Sequence, residues 1–73
     1  MNKYEMVMVW DLVAKGCERM GWSDTFMEFD EQLCAAQYYL DDIIEEVGEH
    51  TPTGKRWTRI YCKIQKMRNQ LKA

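Results

Sequence analysis

From Trp22 to Val47 the apolar residues Trp22, Phe26, Phe29, Leu33, Ala36, Leu40, Ile43 and Val47 follow one another at alternating steps of four and three. A period of that length, held for more than three heptads, lays one apolar seam along a helix. Thr25-Phe26-Met27-Glu28 has the pattern of a capping box, with Ser23 and Asp24 as competing caps, and Gly48 stands just past Val47, where a helix stops. The segment therefore predicts a central helix over about 24–47, roughly 34 Å long.

The flanking segments repeat the logic. Trp57, Ile60, Ile64, Met67 and Leu71 fall at steps of three and four and predict a helix over about 53–72, capped by Thr51-Pro52 or Thr53. Arg56, Arg59, Lys63 and Lys66 form a stripe beside its seam, and Tyr61 lies on the other flank. Met6, Trp10, Val13, Cys17 and Met20, with Val9 beside them, predict a first helix over about 3–20 that ends at Gly21. Gly16 weakens that helix by ~1 kcal/mol relative to alanine. Read with period two, Tyr4, Met6, Met8 and Trp10 alternate with Glu5, Val7, Val9 and Asp11, so a strand over 4–10 paired with 56–62 stands as the alternative. The expected fold is all-α, with residues 1–73 forming one domain. It is a small three-helix antiparallel bundle with a long acidic central helix and a basic C-terminal helix, because the connections at 21–23 and 48–54 are short.

Seventy-three residues build only a small core, and natural chains of this size add disulfides, a metal or a second copy of themselves. Cys17, Cys34 and Cys62 are odd in number and widely spaced, without a CxxC pair, so reduced thiols are expected. A Cys3His zinc site with His50 lacks the paired ligands such sites use. Self-association remains, and a homodimer or higher homo-oligomer is expected. Met8, Leu12, Met27, Tyr38 and Tyr39 lie off the apolar seams and are the candidate oligomer interface, since aromatic residues and methionine are enriched at interfaces. No window approaches the ~18 apolar residues of a membrane span, and Glu5 and Asp11 interrupt any secretory pattern. The expected compartment is the cytoplasm, with no membrane partner.

Charge is divided into blocks. Residues 20–54 carry nine acids and no lysine or arginine, whereas residues 55–73 carry seven bases and no acid, within a net charge of −2. Two oppositely charged helices lying side by side account for this pattern, and so does a nucleic-acid-binding segment. Lys55, Arg56, Arg59, Lys63 and Lys66, with Trp57 and Tyr61 as stacking aromatics, are the candidate binding residues. The acids of the central helix form an elongated negative strip that could imitate nucleic acid toward a basic protein.

Catalytic and cofactor patterns are weak. Gly48-Glu49-His50-Thr51-Pro52-Thr53-Gly54-Lys55-Arg56 echoes a phosphate-binding loop, but its glycines are six apart where the loop needs five, and Arg56 replaces the magnesium-binding hydroxyl. What survives is a helix start flanked by Lys55 and Arg56, which could hold a phosphate or carboxylate. His50 has no nucleophile beside it in sequence. The pairs Asp30/Glu31, Asp41/Asp42 and Glu45/Glu46 lack the Glu-x-x-His spacing of a bundle metal site. No catalytic residue, metal or cofactor is expected.

In general make-up the chain resembles small accessory proteins of phages and mobile elements, which are short, acidic and rich in methionine and aromatics. That resemblance implies binding and inhibition of a host protein. The expected function is thus a non-enzymatic protein-protein interaction module with itself and a larger protein as partners. Binding of nucleic acid or a small phosphate-bearing nucleotide through the basic helix is the alternative.

Overall fold

A computed structural model describes residues 1–23, 25 and 27–72. Three helices pack together: α1 (Lys3–Met20), α2 (Phe29–Val47) and α3 (Pro52–Lys72). Residues 4–10 and 56–62 both lie inside helices, so the strand alternative is not taken.

Each helix begins and ends for a local reason. The Glu5 N–H donates to Asn2 Oδ1 (2.9 Å) and the Asn2 N–H returns a bond to Glu5 Oε1 (3.3 Å), which closes a capping box on α1. Gly21 ends α1 at φ 69°, a left-handed conformation that glycine adopts without a Cβ penalty. The Trp22 N–H then reaches back to the Cys17 carbonyl (2.9 Å). At α3, Thr51 Oγ1 accepts the Gly54 N–H (3.0 Å), and Pro52 occupies the first helical position.

The central helix starts later than its seam predicts. Phe29, not residue 24, opens it, and the Glu28 N–H donates to Glu31 Oε1 (3.5 Å) in place of a box built on Thr25. Asp24, one of the competing caps, and Phe26, the second seam residue, lie outside the described residues. Because residues 21–28 form the connection, Trp22 sits beyond the helix and α3 is the longest of the three, at 21 residues against 19 for α2.

Buried side chains come from all three helices: Val9, Leu12, Val13 and Cys17 from α1, Leu33, Ala35, Ala36 and Leu40 from α2, and Ile60 and Ile64 from α3. Two features fix how the helices sit. A Cβ on Gly16 would lie 2.3 Å from the Ala35 carbonyl oxygen, so α1 and α2 approach backbone to backbone there. Across α2 and α3, Arg68 binds Asp30 while Gln37 binds Gln65, so residue numbers fall on one helix as they rise on the other. That pair is antiparallel, as the short second connection predicts. Trp10 lies against Phe29, Gly16 against Ala35 and Arg19 against Asp42, so α1 and α2 run in the same sense. The separation of Met20 from Phe29 in sequence is longer than the short first connection expected.

The core face of α1 is also turned from the predicted stripe. Leu12, expected on the outer side, is 3% exposed, whereas Trp10, expected in the core, is 46% exposed and rests its ring on Phe29 at 5.7 Å. The close approach at Gly16 selects the face that carries Val9, Leu12, Val13 and Gly16, and so decides the rotation.

Candidate interaction surfaces

The predicted binding residues of α3 divide into two groups. Lys55, Arg56, Arg59 and Lys66 are exposed, and among the described residues they make no ion pair. Lys63 bonds Glu5 of α1, and the ion pair, with help from the Asn2 N–H, holds the Glu5 carboxyl below its ordinary range. Trp57 and Tyr61 are half-buried and pack against the core. Burial pushes the Tyr61 phenol up, and the proximity of Asp41 adds to the shift. Both rings are thus only partly available for stacking beside the basic stripe. The helix start is likewise less available to an anion than its sequence suggests. Its Gly54 N–H is taken by Thr51 Oγ1 and the Lys55 N–H by the Thr51 carbonyl (2.9 Å).

The acids of α2 do not neutralise this stripe. Arg68 is the one base of α3 that pairs with α2 among the described residues. Its Nε and Nη2 hold both oxygens of Asp30 (2.9 and 3.3 Å), while Nη1 donates to Gln37 Oε1 (2.6 Å). Gln37, buried on α2, passes its amide hydrogens to Gln65 Oε1 (3.1 Å) and the Tyr61 carbonyl (3.4 Å). The bond from Arg68 keeps the Asp30 carboxyl low. No seam pattern pointed to this network. Its only sequence signal is a glutamine set among Leu33, Ala35, Ala36 and Leu40.

Toward the C-terminal end of α2, Asp41, Ile44, Glu45 and Glu49 line a shallow groove of about 490 Å³. Although Asp41 is exposed overall, partial desolvation of its carboxyl, and then the neighbouring Asp42, push it up. Asp42 itself pairs with Arg19 (3.3 Å). His50 faces solvent and contacts Glu49 (3.2 Å).

The five residues expected at an oligomer interface do not share one surface. Leu12 belongs to the core. Met27 is half-buried, its sulfur accepting from Cys17 Sγ at 3.6 Å, and Tyr39 packs on the core with Arg19 over its ring at 5.8 Å. Met8 and Tyr38 are exposed, and Tyr38 meets the edge of Trp22 at 6.2 Å. An apolar patch lies on the first turns of α1: Tyr4 is 75% and Val7 70% exposed, residues that neither the apolar stripe nor the expected interface includes, beside the exposed Met8 and Trp10.

Among the described residues no three His, Cys, Asp or Glu side chains converge to hold a metal, and no helix is long and apolar enough to cross a membrane. The chain matches no protein-family model, no curated protein and no solved structure.

Proposed function

We propose that the protein is a non-enzymatic helical module that binds a larger protein, as inhibitor or adaptor, through the solvent face of α1. The observation that carries this reading is the patch of Tyr4, Val7, Met8 and Trp10, exposed on a helix whose opposite face already builds the core. Single exposed apolar residues are ordinary, but several within two turns form the kind of patch that marks a contact surface. Tyrosine, tryptophan and methionine are also the residues that interface centres favour. If the chain comes from a phage or mobile element, the partner is a host protein. Affinity capture from a bacterial lysate tests the reading, comparing the wild type with Tyr4→Lys/Val7→Lys. The variant should keep its helical circular dichroism and lose the captured partner. Capture of the same proteins by both would move the contact off α1.

A second reading, binding of nucleic acid or a nucleotide, is favoured by the unpaired bases Lys55, Arg56, Arg59 and Lys66. Binding through several of them should weaken with salt at a log–log slope near −0.9 per duplex phosphate neutralised. Arg59→Glu/Lys63→Glu should abolish it.

A further inference from the structure

The outer faces of α2 and α3 carry two matching stripes that no helix of the protein covers, although Trp22 of the first connection meets Tyr38 at the middle of the α2 stripe. Along α2, Glu31, Cys34, Tyr38, Asp41 and Glu45 follow one another at steps of three and four; all are exposed except the half-buried Cys34. Along α3, Lys55, Arg59, Cys62, Lys66 and Asn69 do the same, and all are exposed. Steps of three and four keep each stripe on one face of its helix, so its charges line up along the helix.

The antiparallel register fixes the heights of these residues. Arg68 is level with Asp30, and Gln37 is level with Gln65 and the Tyr61 carbonyl. Counting on from these contacts at ~1.5 Å per residue brings Tyr38 level with Cys62, Asp41 with Arg59, and Glu45 with Lys55. Within one molecule these acids and bases lie at the same height and yet form no ion pair among the described residues.

We propose that a second copy of this chain covers the α2–α3 face, related by a two-fold axis that runs parallel to the two helices. Rotation about such an axis leaves heights unchanged and lays α2 of each copy on α3 of the other. Asp41 and Glu45 of each copy then meet Arg59 and Lys55 of the other, and Tyr38 meets Cys62. The charge complementarity is satisfied twice over by symmetry, as an isologous contact requires. The two-helix layers of the two copies then stack face to face, with each α2 antiparallel to the α3 it meets. The contact lies on helices other than the proposed partner surface of α1, so its failure leaves that reading standing.

Sedimentation equilibrium of the whole chain at ~0.05 M and ~0.5 M salt tests the pairing, since exposed ion pairs are screened over that range. The samples are the wild type, Asp41→Lys/Glu45→Lys, Lys55→Glu/Arg59→Glu, and an equimolar mixture of the two variants. The wild type should sediment at twice its 8.8 kDa in low salt, with a dissociation constant at least about tenfold weaker in high salt. Each variant alone should stay monomeric, and the mixture should recover the dimer, because each reversed face then meets its complement. A wild type that remains at 8.8 kDa at high micromolar concentration overturns the proposal, whether or not it binds DNA. So does a dimer that both variants retain, or a mixture of folded variants that stays monomeric. If a variant loses its helical signal, alkylation of wild-type Cys62 decides. Its rate should fall as concentration rises through dimer formation, and a constant rate refutes the contact.

Discussion

Replacing Gly16 by alanine sets two opposed effects in one methyl group. In an isolated helix the change stabilises α1 by ~1 kcal/mol, because glycine spends more backbone entropy on becoming helical. In the folded protein the new Cβ would stand 2.3 Å from the Ala35 carbonyl oxygen, 2.7 Å from its carbon and 3.4 Å from its Cβ. Carbon contacts rest near 3.5–4.0 Å, so α1 must withdraw from α2 by roughly 1 Å, enough to forfeit a quarter to a half of the dispersion attraction across the gap. The affected contact includes Val9, Leu12, Val13 and Cys17 on one side and Leu33, Ala36 and Leu40 on the other. Overpacking of this kind costs about 1–3 kcal/mol, which leaves a net loss of up to ~2 kcal/mol after the helical gain. For a domain of this size each kcal/mol lowers Tm by about 4–8 °C. Thermal unfolding followed by circular dichroism at one fixed protein concentration measures it, with Ala14→Gly, exposed on the same helix, as the propensity control. A Gly16→Ala variant that melts above the wild-type temperature refutes the backbone-to-backbone approach.

Acid should destabilise the protein through Asp30 and Glu5. Both carboxyls are held low by ion pairs, so their stabilisation is present above the unfolded carboxyl range near pH 4 and is lost as pH falls through their lower folded values. Asp41, pushed up by partial desolvation, acts in the opposite sense: its contribution is present in acid and lost as pH rises through its folded value. Urea midpoints between pH 2 and pH 6 should fall on the acid side, and Arg68→Met should flatten that fall; an unchanged acid limb in the variant would remove Asp30 from the account. Thiol alkylation in dilute solution should modify exposed Cys62 first, half-buried Cys34 next and buried Cys17 only as the helices open. Fast reaction at Cys17 in the native protein would contradict its place in the core.

The three helices were legible in the sequence because each carries its own periodic signal. Leu33, Ala36, Leu40, Ile60 and Ile64 recur at the helical step and are the residues buried, and Gly21 and Gly48 stop their helices at positive φ. These are local consequences of backbone geometry, and a linear pattern can record them. The rotation of α1 was not legible, since Trp10 and Leu12 both fit an apolar stripe and only the approach of Gly16 to Ala35 chooses between them. The shared sense of α1 and α2 was not legible, because the seam placed the start of α2 too early and so hid how far Phe29 stands from the end of α1. The charge blocks were plain in the sequence, but their pairing was not. Arg68 alone turns inward to Asp30 and Gln37, Lys63 crosses to Glu5, and the remaining bases of the predicted stripe stay outside. Which charges meet depends on helix rotation and relative height, and packing sets both.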